Sequence, residues 1–200
     1  MQDDARPRQV VVISGPTGSG ESTITQAIIK KYPGKVARLV TATTRAPREG
    51  EQQGVDYYFF TKEEFAEKEG RGDMLETTYI ENRDTYYGTY KPDLMQKLDA
   101  GSIVIVNADI VGAKYFREQY QATTIFIVPG DIHEIPNRLR TRNPGMLEDE
   151  VQQRYANALA EIKTEGPFYD YQVINANGQL DAAIAEVESI LQKEGYQLTA

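Results

Sequence analysis

Short apolar, β-branched runs alternate along the chain with stretches whose apolar residues recur three and four positions apart. QVVVISG (9–15) ends in glycine and is followed by STITQAIIKKY (22–32), which has helical periodicity. SIVIVNAD (102–109) is a second strand run, with VGAKYFREQY (111–120) as its helix. TTIFIVPG (123–130) is a third and YQVINANG (171–178) a fourth, closed by the amphipathic QLDAAIAEVESILQKEG (179–195). Continuous apolar strands separated by helices predict a parallel sheet covered on both faces.

Two regions break that rhythm. Residues 41–92 are rich in Thr, Tyr, Arg and Gly and read as irregular strands around one short helix, started by a Thr61/Glu64 capping box. MLETTYI and TYYGTY, flanking ENRD, read as a hairpin, with Tyr86 as packing and Tyr58 or Phe59 as strand core. In residues 137–155 one helix, with Pro136 in its first turn, ends near Asn143-Pro144-Gly145, and another starts near Glu148. The expected organisation is one domain. Its α/β core comprises 9–40, 93–136 and 156–195, with an inserted β-rich lobe at 41–92 and a short helical lid at 137–155.

Composition narrows the function classes. The 200 residues suffice for one domain with a real core, and 40% hydrophobic with 26% charged residues is ordinary for a globular chain. A net charge of −8 argues against nucleic acid or an anionic membrane as partner. With no cysteine there is no disulfide, thiolate zinc site or cysteine nucleophile. The single histidine, His133, excludes a multi-histidine metal site and reads as a surface residue. The polar start, MQDDARPRQ, lacks the apolar segment of a signal peptide. No apolar run approaches the roughly 18 residues of a membrane span. A cytoplasmic protein, monomer or homodimer, is expected.

The chemistry centres on GPTGSGES (15–22), which fits the phosphate loop G-x-x-x-x-G-K-[ST] except that Glu21 stands in the lysine position. Gly15, Gly18 and Gly20, with Pro16, Thr17 and Ser19 between them, allow the tight turn that aims backbone N–H groups at one anion. The following helix adds the positive end of its dipole. Ser22, followed by Thr23, supplies the hydroxyl that the motif gives to Mg²⁺. Glu21 works against this. A carboxylate about 4 Å from a phosphate charge repels it by roughly 4 kcal/mol at an effective dielectric near 20. A milder outcome is that Glu21 swings away to pair with an arginine.

The segments that follow carry a resemblance. TATTRAPREGEQQGVDYYFF (41–60), LE (75–76), YYGT (86–89), NADIVGAK (107–114), RLRTR (138–142), QQRYANALAEI (152–162) and VINANGQLDAA (173–183) together resemble the guanylate kinases, from about residue 9 to 193. The resemblance implies a P-loop NTPase-type α/β fold, with a parallel sheet flanked by helices, that phosphorylates GMP to GDP with ATP and Mg²⁺. It implies a GMP phosphate site of Arg45, Arg48, Tyr57 and Tyr87, whose arginine forks and phenol hydroxyls suit that group. It implies Glu76 and Asp109 as acceptors for guanine, with Thr41 and Thr89 as hydroxyls beside them. Arg45, Arg142 and Arg154 would be the catalytic arginines, and Asn175 would lie near the adenine of ATP.

The chain departs from the pattern at Glu21, at Asn107 (where the family's strand-end D-x-D begins with aspartate) and in a slightly long stretch between Glu76 and Tyr87. The opposite charge changes at 21 and 107 could compensate, with Glu21 helping to hold Mg²⁺. Alternatively the ATP half is disabled, leaving a module that binds GMP or a phosphorylated partner. A sugar-phosphate kinase on the same fold would not need Glu76 and Asp109 as a guanine-reading pair.

Overall fold

The computed structural model describes residues 8–198; the part of the polar N-terminal stretch before Arg8 lies outside them. The chain begins with β1 (Val10–Ser14), α1 (Glu21–Lys31), β2 (Val36–Arg38), β3 (Ala42–Thr43) and β4 (Tyr58–Phe59). It continues through α2 (Lys62–Gly70), β5 (Met74–Ile80), β6 (Thr85–Tyr90), α3 (Lys91–Asp99), β7 (Ile103–Val106) and α4 (Ile110–Tyr120). It closes with β8 (Thr123–Pro129), α5 (Ile135–Arg142), α6 (Glu148–Thr164), β9 (Tyr171–Asn175) and α7 (Leu180–Lys193).

The main sheet has five parallel strands in the order β2-β7-β1-β8-β9. Alternate residues of β1 face opposite layers. Val11 and Ile13 pack with Ile24 and Ile28 of α1 and Val187 and Leu191 of α7. Val10 and Val12 pack with Leu94 of α3 and Phe116 of α4. Burial on both faces is why this strand reads as an unbroken apolar run. The chain leaves β1 for β2 past the place that β7 later fills, so the ends of β1 and β7 open on a shared crevice, where open α/β sheets bind ligands.

A second sheet, β4-β3-β6-β5, is antiparallel except for the β3–β4 pair. Its small core is Ala42, Phe65 and Met74, with Tyr58, Phe60, Tyr86 and Tyr90 packed against it. Tyr58 and Tyr86 are therefore packing residues, while Phe59 lies outside this cluster, 5.8 Å from the Tyr57 ring. The Tyr58 hydroxyl donates to Asp93 Oδ1 at 3.0 Å, and Asp93 Oδ2 accepts from Val40 N at 2.9 Å. That carboxylate ties the second sheet to α3 and the main body. Burial and Asp93 together push the Tyr58 phenol up to about 12.

The capping box forms as expected: Thr61 Oγ1 accepts from Glu64 N at 3.1 Å and Glu64 Oε2 accepts from Thr61 N at 2.8 Å. The β5–β6 hairpin also forms, pairing Tyr79 with Tyr86. Its connection is a short 3₁₀ turn, Glu81–Arg83, closed by Asp84 at φ 48°. Aspartate tolerates that left-handed conformation, and its carboxylate takes the Tyr79 hydroxyl at 2.8 Å. Helices α5 and α6 share a separate cluster of Ile135, Leu139, Val151 and Ala158. His133 Nδ1 and the Tyr155 hydroxyl, 3.0 Å apart, join the turn before α5 to α6. Among the described residues no helix is long and apolar enough to cross a membrane.

Candidate functional site

The glycine loop runs from the end of β1 to the start of α1. Gly18 and Gly20 have φ of 80° and 92°, a region that side chains disfavour. Gly15 is required by space: a Cβ there would sit 2.5 Å from the Ile127 carbonyl oxygen and 2.6 Å from Ser19 Oγ. The loop is tied from behind. Asn175 Nδ2 donates to the Ser19 carbonyl at 2.8 Å. Arg138 donates to the Gly18 carbonyl at 3.1 Å, to the Asn175 carbonyl at 3.1 Å and to Asn177 Oδ1 at 2.7 Å. Two of the loop's carbonyls are thus committed to protein donors, which fixes its curl. Pro16, Thr17, Ser22, Thr23 and Arg142 line the cavity of about 630 Å³ in front of it. Ser19 is fully buried and its Oγ has no hydrogen-bond partner among the described residues.

Glu21 opens α1 with Gly20 as its N-cap. It does not turn away to an arginine. Its Oε1 accepts from Ser22 Oγ at 2.7 Å. Burial holds its carboxyl above the usual carboxylate range, against the pull of the Ser22 hydrogen bond and the Arg142 charge.

Gly15 and Glu21 also form one wall of a second cavity of about 310 Å³, which reaches Asn107, Asp109, Glu161, Glu165 and Tyr169. Two of the three departures noted in the sequence, Glu21 and Asn107, therefore face one space. Asn107 Nδ2 donates to the Ile13 carbonyl at 3.0 Å and to Thr25 Oγ1 at 3.1 Å. An ionised aspartate could not donate to that carbonyl, so the amide fits its place in this chain.

Asn107 and Asp109 in turn line a third cavity, of about 230 Å³, with Thr41, Tyr57, Glu76, Tyr87 and Thr89. These seven residues, all singled out in the sequence, meet here from β5, β6 and the segments flanking β3, β4 and β7. Thr89 Oγ1 donates to Glu76 Oε1 at 3.1 Å. Burial, then the nearby Asp109 charge, push the Glu76 carboxyl up. Asp109 caps α4, its Oδ1 accepting from Val111 N and Gly112 N at 3.0 Å each.

Arg45 and Arg48 are not among the residues lining that cavity; Arg45 stands beside one of its walls. The Arg45 guanidinium is 5.5 Å from the Tyr57 ring centroid, and Tyr57 meets Tyr87 edge-on at 6.1 Å. Both Arg45 terminal nitrogens donate to Glu51, at 2.9 Å each, and Glu51 also accepts from Arg48 N at 2.7 Å. The pair's side chains are only 18% and 19% exposed, so this is a held fork rather than a loose surface pair.

Three placements differ from expectation or extend it. Arg154 does not join Arg142 at the loop; it is not among the cavity-lining residues, and its Nε and Nη2 both donate to Glu150 on its own helix, at 3.0 and 2.7 Å. Asn175 lines the loop cavity, but its amide grips the loop itself. Arg138 and Glu51 were not singled out, because each acts by holding another group and a sequence pattern does not display that. Among the described residues, no three His, Asp or Glu side chains gather closely enough to hold a metal ion.

Comparison with known proteins agrees across the chain. The family model described as guanylate kinase matches residues 7–194. A guanylate kinase of Rhodopirellula baltica is 35% identical over 191 residues, covering 94% of this chain and 90% of that protein. One of Thermosynechococcus vestitus is 39% identical over 171 residues, covering 85% and 87%. The crystal structure of guanylate kinase from Anaplasma phagocytophilum superposes with a TM-score of 0.67 at 25% identity, covering 96% of this chain and 89% of that one.

Proposed function

The chain belongs to the guanylate kinase family, and on that premise we propose that it transfers the γ-phosphoryl group of ATP to GMP. The observation that carries this reading is the shared walls of the three cavities. Glu21 and Gly15 join the loop cavity to the middle one, and Asn107 and Asp109 join the middle one to the third. A donor in the glycine loop and an acceptor beside Glu76 would meet in the middle.

In this reading residues 41–92 form the GMP lobe. Arg45, Arg48, Tyr57 and Tyr87 take the GMP phosphate. Glu76, and the Asp109 oxygen that does not cap α4, accept from guanine N1–H and the 2-amino group. Adenine lacks that donor pair and would leave a buried carboxylate unpaired, which is the basis of selection. A GMP phosphate oxygen attacks the γ-phosphorus, the bond to the β–γ bridging oxygen breaks, and ADP leaves with the electron pair. Arg142, on α5 beside the loop, offsets charge on the moving group; residues 137–155 act as the lid that excludes water. The Ser22 hydroxyl is a hard oxygen donor that fits Mg²⁺, an ion that neutralises polyphosphate charge when bound.

The test is GDP formation from ATP, GMP and Mg²⁺, with Glu21→Lys assayed beside the parent and GMP binding followed by calorimetry. GDP formation by the parent supports the kinase reading. GMP binding with no GDP from either protein favours a binding module. Absence of GMP binding rejects the site.

A further inference from the structure

A phosphate loop with a carboxylate in place of its lysine has a charge problem that a proton or a cation must solve. The geometry around Glu21 points to the cation. Glu21 Oε1 and Ser22 Oγ, two hard oxygen donors on adjacent residues, lie 2.7 Å apart. In an octahedral Mg²⁺ shell with bonds of about 2.05 Å, neighbouring oxygens lie about 2.9 Å apart. The two atoms are thus already spaced as one edge of such a shell. A divalent cation beside Glu21 turns the local charge from −1 to +1, so the loop meets the phosphates with net positive charge although it lacks the motif's lysine.

The surroundings offer room and polar partners for the water that Mg²⁺ retains. The cavity of about 310 Å³ on the far side of Glu21 has volume for several waters at about 30 Å³ each. Tyr169, on another wall, is 7% exposed, and its hydroxyl makes no hydrogen bond of good geometry among the described residues. Its polar neighbour Ser14 gives its proton to the Ala108 carbonyl, so towards Tyr169 it can only accept and the phenol oxygen stays open to a donor. A buried phenol with an unfilled acceptor site is a place where a water of the cation's shell can be held. Asn107, at the same cavity, is neutral where the family pattern has a carboxylate, so Glu21 relocates the negative charge rather than adding to it.

We propose that Glu21 and Ser22 together are ligands to a divalent cation, and that the loop takes up this cation without nucleotide and then receives ATP through it. The remaining ligands are water, later exchanged for phosphate oxygens. This uses the loop as a triphosphate cradle but does not depend on GMP being the acceptor.

The test is a Mn²⁺ titration of nucleotide-free protein followed by electron paramagnetic resonance, with Mg²⁺ as competitor. It needs neither GMP nor turnover, so it can fail while the kinase reading stands, and the reverse. The parent is expected to bind one Mn²⁺ that Mg²⁺ displaces, Glu21→Gln to bind it at least tenfold more weakly, and Ser22→Ala to lose part of the affinity. Glu161→Gln, across the middle cavity, is expected to change it less than threefold. The second measurement is binding of a non-hydrolysable ATP analogue with and without Mg²⁺. The parent should show at least a hundredfold dependence on Mg²⁺, and Glu21→Lys should reduce it to a few-fold. Superimposable Mn²⁺ titrations for the parent and Glu21→Gln would overturn the proposal. So would loss of binding that follows Glu161 instead of Glu21, or a Mg²⁺ dependence of analogue binding unchanged in Glu21→Lys.

Discussion

Glu76 is held in a state that does not favour its own charge. Burial and the neighbouring Asp109 charge push its carboxyl up, and Thr89 alone among the described side chains donates to it. If its purpose is to accept from a base, its cost to the empty fold should be measurable. Glu76→Gln keeps an acceptor for Thr89 and removes the charge. It is expected to raise the melting temperature near neutral pH while weakening GMP binding by about tenfold or more, the range of a charged hydrogen bond. The sign follows from linkage. A raised folded pKa means the charged form is penalised above that value, and the penalty vanishes once folded and unfolded chains are both protonated. The advantage of the Gln variant should therefore shrink as pH falls through the raised folded value towards about 4.3, the ordinary Glu value, and be gone below it. A lower melting temperature for Glu76→Gln at neutral pH would show that the carboxylate is structural. Glu51 makes the converse case, a residue that holds a binding group without belonging to the cavity wall. Removing it in Glu51→Ala frees the Arg45 fork and the Arg48 backbone together. The expected result is a rise of roughly tenfold in the KM for GMP with the KM for ATP unchanged, as for lost ground-state positioning. Glu51→Gln, which can still accept from Arg45, should recover part of it; equal loss in both variants would mean that charge, not position, is what Glu51 supplies.

At the scale of elements, the Asn175 side chain ties the end of β9 directly to the loop that leads into α1. Asn175 Nδ2 meets the Ser19 carbonyl, and Gly20 is bare because a Cβ there would run into that amide. Asn175→Ala would leave a buried carbonyl without its donor, a loss of about 1–3 kcal/mol. For a chain of this size each kcal/mol corresponds to about 2–4 °C in melting temperature. Differential scanning calorimetry should show that drop, and ATP-analogue binding should weaken with it; a stability loss with unchanged analogue binding would reduce Asn175 to a packing role. The elements differ in how readily the sequence displays them. β1, β7 and β8 were plain because both faces are buried, and α2 because Thr61 and Glu64 announce its first turn. Strand β2, three residues at the sheet edge, and helix α3, with Leu94 its one fully buried apolar residue, carry too little periodicity to be read. The site divides in the same way. Residues proposed to face a ligand are typed by its chemistry, as Arg45, Glu76 and Ser22 are. Arg138 and Glu51 are typed by protein groups brought to them from other parts of the chain or held in a folded loop, and those exist only after folding.

The whole molecule places its two candidate nucleotide regions on bodies with different cores. The glycine loop grows from a five-stranded sheet packed on both faces, while the third cavity lies largely against a four-stranded sheet with a small aromatic core, anchored through Asp93. A ligand that touches both bodies restrains the weaker one more, because local opening is easiest where few apolar contacts must be broken. Saturating GMP is therefore expected to slow hydrogen exchange across residues 41–92, most strongly around Thr41–Arg48 and Glu76–Thr89. Strands β1 and β8, whose exchange needs opening of the buried main sheet, should change little. Adding a non-hydrolysable ATP analogue should extend protection to the loop at 15–22 and to residues 137–147, which carry Arg138 and Arg142. The order matters to the argument. Protection of 41–92 by GMP alone assigns the base and phosphate contacts to the second sheet. Protection that appears only with the ATP analogue would mean that the third cavity needs the donor to form, and a uniform slowing across the chain would mean that GMP stabilises the fold without choosing that cavity.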